Sequence, residues 1–384
     1  MSSIYIENED KEKDKDKMSY KKLVVDETSG TPLKEVNKPA FEKLDETEQP
    51  LLARSDVPAY QVDFVSTEWG NVLVAVQGDK SRPAIVTFHD IGLNHVTCFQ
   101  SFFNYMDMQP ILKHFCVYHI NAIGQEQGAP QLPDGFQYPT MDQLSDIILA
   151  VLKHFRIQRI IGFGMGAGAN LLARFQLSHP DMVEGLVLIN CVSTQSTWTE
   201  WAQQKLSSFY LRGKGMTNYT QEYLLWHYFG KKTMETHQDL VVQFRENLAK
   251  SVNPYNLSLF IESYIKRSDL HIKREQEKTE HFRATPTRTI DCDVMLIAGT
   301  NSPHLNDTVE MNSRLNPTKA TWMKMSDCGG MILEEQPAKL AEAFKLFLQG
   351  MGYVLKLRPT GPAHSVEPPA PRPRQTGQPS PVMV

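Results

Sequence analysis

Six short apolar runs, at residues 84–88, 115–120, 159–163, 185–190, 293–298 and 321–325, alternate with stretches of helical periodicity. Few folds accept that rhythm. Runs that are apolar on nearly every residue mark strands buried on both faces, and helices between them predict a mostly parallel sheet covered on both sides. Residues 60–67 and 70–77, joined across Glu68-Trp69, predict an antiparallel pair that opens the sheet and brings it to eight strands. The clearest helix starts at Thr140. Its T-x-x-Q spacing to Gln143 is a capping box, and Met141, Leu144, Ile147, Ile148, Val151, Leu152 and Phe155 form one apolar stripe. Further helices are predicted over 165–178 and 337–348.

Residues 193–289 break the rhythm. They are helical in pattern and rich in aromatics (Trp198, Trp201, Phe209, Tyr210, Tyr223, Trp226, Tyr228, Phe229). They predict a helical cap inserted after strand six, above the carboxyl ends of the strands, where open α/β sheets bind ligands. The expected layout is a core of 56–192 and 290–357, the cap at 193–289, a charged arm at 1–55 and a Pro-rich tail at 358–384. Both ends are too polar or too Pro-rich to offset the entropy of ordering, so both are expected to be disordered.

The formal charge of −4 divides into −3 over residues 1–54, +3 over 351–384 and −4 in the body. A slightly acidic body lacks the basic footprint that phosphate backbones require, which argues against nucleic acid as a partner. The apolar runs fall far short of the roughly 18 residues of a membrane span. The first residues carry near-continuous charge over 7–17 in place of an apolar leader, so a cytoplasmic location is expected. The five cysteines form no C-x-x-C pair, and neither disulfides, a metal nor a cofactor is expected.

The strand-to-helix junction at 159–168 carries glycine at 162, 164, 166 and 168. In an α/β-hydrolase such a junction is the nucleophile elbow G-x-S-x-G, which aligns as Gly162-x-Gly164-x-Gly166 and puts glycine where the nucleophile belongs. A side chain is missing there, so nothing can attack a carbonyl. A dinucleotide fingerprint, G-x-G-x-x-A, also fits, but it belongs to the first βα unit and needs an acidic residue after the next strand, where Asn190 stands.

With the elbow and cap in place, several long blocks closely resemble the N-myc downstream-regulated (NDR) family, a group with the α/β-hydrolase fold. These are Thr87 to His95 (TFHDIGLNH), Phe102 to Met108 (FFNYMDM), Tyr138 to Leu144 (YPTMDQL), Met182 to Asn190 (MVEGLVLIN), Asp327 to Gly330 (DCGG), Gln336 to Phe344 (QPAKLAEAF) and Gln349 to Tyr353 (QGMGY). The resemblance spans about residues 57–357. It implies an α/β-hydrolase fold and a non-catalytic cytoplasmic protein of signal transduction, in stress response, differentiation or trafficking, acting through protein partners. Against the hydrolase pattern, the acid position after strand seven reads Gly299-Thr-Asn-Ser302-Pro303, and the histidine position before the last helix reads Gly329-Gly330. The three triad positions are therefore vacated, as Gly164, Ser302 and Gly330.

A hydrolase with a displaced nucleophile is the alternative. Ser193, Cys191, Asp327, Cys328, His89, Asp90 and His304 all fall near the same sheet edge, yet none completes a nucleophile-base chain by sequence. An oxyanion hole needs only backbone N–H groups, one after the nucleophile (Met165) and one after strand three (Asp90 or Ile91). Two outcomes stay open here: a residual pocket at Asp90, Ile91 and Met165 for a small carboxylate or lipid-like ligand, or a crevice filled by glycines and cap aromatics. At the tail, Val382-Met383-Val384 fits PDZ domains and Pro368-x-x-Pro371 fits SH3 domains loosely.

Overall fold

A computed structural model of the protein describes residues 60–274 and 288–353. The arm and tail expected at the two ends lie outside these residues, as does the 275–287 part of the cap.

Eight strands form one sheet in the order β1-β2-β4-β3-β5-β6-β7-β8. They are β1 (Gln61–Thr67), β2 (Gly70–Gln77), β3 (Ala84–Phe88), β4 (Cys116–Ile120), β5 (Ile160–Met165), β6 (Val183–Ile189), β7 (Asp293–Gly299) and β8 (Ala320–Met325). The first two pair antiparallel across the predicted turn, β2 runs antiparallel to β4, and every remaining pair is parallel. Strands β3, β4 and β5 are buried at every residue, which is why they read as unbroken apolar runs.

The helices follow from the same patterning. Helix α1 (Met141–Phe155) begins at Thr140, whose side chain accepts from the Gln143 N–H while the Gln143 side chain accepts from the Thr140 N–H. Its predicted stripe is buried except for Phe155, which is half-buried against Tyr118. Helix α2 (Ala167–Ser178) follows β5. Among the described residues four helices lie between β6 and β7: α3 (Trp198–Lys214), α4 (Asn218–Thr236), α5 (Gln238–Ser251) and α6 (Pro254–Ile265). Helices α7 (Leu305–Arg314) and α8 (Pro337–Gly350) complete the main helices among the described residues.

Neighbouring residues of β5 show how both faces are covered. Phe163 packs on Phe344 of α8 and on Phe99, Phe102 and Phe103. Gly162, pointing the other way, faces Leu172 of α2.

Most boundaries shift by one or two residues from expectation, and one of these shifts matters for the site. The strand expected to end at 163 continues to Met165, with Gly164 registered against Phe88 on one side and Leu188 on the other. The glycines that suggest an early turn lie inside the ladder instead. Gly164 is small because the start of α2 packs directly on it, at Ala169.

Candidate functional site at the carboxyl edge of the sheet

The sharp turn between β5 and α2 falls at Gly166, with φ 53° and ψ −114°. The elbow is therefore Gly164-Met165-Gly166-Ala167-Gly168, two residues beyond the Gly162-Gly164-Gly166 alignment. The residue at its apex is Gly166 in place of Gly164. Only glycine adopts such a φ without steric cost, and a Cβ built there would fall on the carboxylate of Asp90.

That carboxylate is the centre of the site. Asp90 stands in the loop after β3 and is 2% exposed. Its Oδ1 accepts from the Ile91 N–H and from the Ala167 N–H, both at 2.8 Å. Those two amides are the ones the hydrolase architecture aims at an oxyanion: one from the loop after β3, the other following the elbow residue. The elbow donor is thus Ala167 and not Met165, which belongs to β5 and whose Sδ contacts Cys98 Sγ. The other carboxylate oxygen, Oδ2, lies 2.9 Å from Nε2 of His227 on α4. Burial alone would raise the Asp90 carboxyl, but His227, the Ala167 amide and His304 together hold it below the usual carboxylate range.

The cap meets the surrounding loops at two further points, through the Tyr228 side chain and the His227 backbone. Tyr228 donates from its hydroxyl to the Ile91 carbonyl at 2.7 Å, and His304 Nε2 lies 3.2 Å from the His227 carbonyl. Helix α4 breaks at Gly230, where φ is 72°, and a Cβ there would overlap the Asn301 carbonyl oxygen. Gly329 and Gly330 press against the carbonyls of Phe229 and Tyr228 in the same way, so any side chain at 330 would collide with the cap.

The remaining candidates serve this packing. His89 Nε2 accepts from the Ala122 N–H at 3.0 Å, so its Nδ1 carries the proton and donates to the Asp90 carbonyl at 2.8 Å. Burial pushes its pKa down to about 4, which keeps the ring neutral. Ser302 donates to Asn190 Oδ1 at 3.0 Å and accepts from the His304 N–H. Asn190 also donates to the Gly330 carbonyl and, through its backbone, to Ile297, so it ties the ends of β6, β7 and β8 together. Cys191 is buried and its thiol is pushed up to about 12; burial likewise raises Cys98 and Cys328. Ser193 is 1% exposed. Asp327 is exposed, with φ 58°, and accepts no role at Asp90.

Sequence reasoning missed His227 and Ala167. The first sits in a run of cap aromatics with no hydrolase motif around it; the second stands two residues beyond the turn that the glycine spacing suggests. Cavities of about 450 and 670 Å³ lie elsewhere, and neither is lined by Asp90, Ile91 or Gly166. Among the described residues no group of three or more His, Cys, Asp or Glu side chains is placed to hold a metal, and no helix is long and apolar enough to cross a membrane.

Sheet order, elbow and cap together define an α/β-hydrolase-fold protein. Solved structures agree: a thermophilic esterase from Thermogutta terrifontis superposes with a TM-score of 0.61 at 15% identity, covering 76% of this chain and 100% of its own. The enol-lactonase of Burkholderia xenovorans gives 0.60 at 17% identity, over 75% and 100%. At such identities the likeness shows the fold alone. The chain belongs to the Ndr family, whose sequence pattern matches residues 62–355. Among its relatives, Protein NDRG3 of Xenopus laevis is 46% identical over 315 residues, 80% of this chain and 81% of that one. Protein NDRG1 of Xenopus tropicalis is 44% identical over 292 residues, 76% and 71% of the two chains.

Proposed function

We propose that this chain is a hydrolase-fold protein without hydrolytic activity, working in cytoplasmic signalling, in stress response, differentiation or trafficking, by binding protein partners. The loss of activity rests on one observation: the Asp90 carboxylate takes up both amides that would stabilise an oxyanion and the space a nucleophile's Cβ would need. The vacated triad positions in this reading are Gly166, Ser302 and Gly330. A triad works as a unit, so the loss of all three members leaves little to catalyse acyl transfer.

The displaced-nucleophile alternative finds no support in the thiols, which burial keeps protonated, or in the buried Ser193. A pocket for a small carboxylate or lipid-like ligand at Asp90 and Ile91 would require Asp90 to leave its amides first. The filled crevice is the reading this geometry favours. The signalling role rests on family resemblance, and PDZ or SH3 contacts through the tail remain expectations from residues 368–384.

The test is treatment of the full chain with a fluorophosphonate and with iodoacetamide, beside turnover of p-nitrophenyl esters. The expected result is no stoichiometric labelling and no turnover above that of the ester in buffer alone. Labelling or turnover abolished by one Ser or Cys substitution would overturn the proposal.

A further inference from the structure

Helix α3 of the cap is built inside out. Its buried residues are Gln204, Ser207, Ser208 and Leu211, three polar and one apolar. The large apolar side chains point away from the protein: Trp198 is 77% exposed, Phe209 69%, Leu206 42% and Trp201 39%. In an ordinary surface helix the burial is the reverse, because apolar area is what drives the helix onto its neighbour. Here the inner face is held by polar bonds instead. Ser208 Oγ reaches the Ser258 carbonyl and Glu262 at 3.3 Å each, and Arg212 bonds Ser258 Oγ at 3.1 Å.

The charge on the outer face has one sign. Glu200 is the only acid in the helix, and it turns toward Arg267, which it holds through both carboxylate oxygens at 2.7 and 2.9 Å. Lys205, Arg212 and Lys214 are all exposed. Lys205 and Arg212 share the single carboxylate of Glu262, and Lys214 lies over the Tyr210 ring. The outer face therefore carries a surplus of positive charge among two tryptophans stacked 5.0 Å apart, a leucine and a phenylalanine.

We infer that α3 is an interfacial helix that seats the cap on an anionic lipid surface. Trp, Phe and Leu beside Lys and Arg, with the helix's own acid turned inward and one carboxylate shared by two cations, is the composition that lies in the plane of a bilayer interface, the rings at headgroup depth and the cations on lipid phosphates. The exposed apolar side chains run from Trp198 to Phe209, a ridge about 17 Å long at about 1.5 Å per residue, which suits a flat, soft surface. The inference stands independently of how the Asp90 site is read.

The experiment is co-sedimentation of the full chain with vesicles of phosphatidylcholine alone and of phosphatidylcholine mixed with phosphatidylserine. The wild type is expected to bind the mixed vesicles, less as salt is raised, and the pure vesicles weakly. Replacing both Trp198→Ser and Phe209→Ser should lower the partition coefficient by about tenfold or more. Both side chains are exposed, so an unchanged unfolding midpoint shows that the variant is folded. No binding at low salt overturns the inference, as does equal binding by the double variant. A vesicle-free wild type that self-associates through these residues, with the double variant monomeric, also overturns it, because a second copy is then the occupant.

Discussion

Removing the Asp90 carboxylate strands the groups that now donate to it. In Asp90→Ala the Ile91 and Ala167 amides and the His227 ring lose a buried partner, which should cost about 3–5 kcal/mol in urea unfolding. Formate, small enough to return to the two amides, should recover part of that loss where chloride at equal ionic strength does not. A loss below about 1 kcal/mol would show that the node is peripheral. Serine at the elbow meets the same group: Gly166→Ser should destabilise the protein and confer no esterase activity, because its Cβ falls on Asp90. Combined with Asp90→Gly, its cost should shrink, a coupling that a double-mutant cycle reads directly. If the two costs simply add, the steric account fails.

At the scale of elements, Gly230 lets α4 break and lay its backbone on the loops after β7 and β8. Gly230→Ala should lose about 1–3 kcal/mol or more from its positive φ alone, whereas Thr140→Ala should cost only about 1 kcal/mol, the value of a helix cap. Both are measurable as shifts in unfolding midpoint. The contrast also explains what could be read in advance. Thr140 and the α1 stripe obey local rules, as do the eight strands, so spacing alone identifies them. The end of β5 is hidden from local reading because glycines at 162 and 164 signal a turn, while what holds them straight is pairing with β3 and β6. The meeting of Asp90 with His227 leaves no local trace. It joins two residues whose neighbourhoods carry opposite patterns, one a loop after a strand and the other a helical aromatic run.

For the molecule as a whole, buried histidines set the acid limit. His89 is pushed down to about 4 by burial, and burial holds His119 well below its ordinary value as well. Both stay neutral in the folded chain while the unfolded chain takes up protons below about 6.5. Unfolding then binds protons between about pH 6.5 and 4, and stability falls on acidification by up to about 1.4 kcal/mol per pH unit for each ring. Glu334 and Glu335, raised by burial, act in the opposite sense and blunt the slope. Asp90 adds its own loss only at lower pH, as the medium falls through its depressed value. Urea midpoints from pH 7.5 to 4.5 should therefore rise with pH, and His119→Phe should flatten the rise. Coincident slopes for the two proteins would contradict this.

The Asp90 node also dictates an order of assembly. Its partners lie 77 and 137 residues further along the chain, so two large loops must close before the carboxylate finds them. The shorter loop closes when β3 pairs with β5, whereas the longer one, to His227, also needs the cap in place and closes later. A bond absent from the transition state contributes nothing to the folding rate and all of its strength to the barrier against unfolding. The Asp90–His227 contact then raises the barrier against unfolding, and Asp90→Asn should hasten unfolding while leaving refolding nearly unchanged.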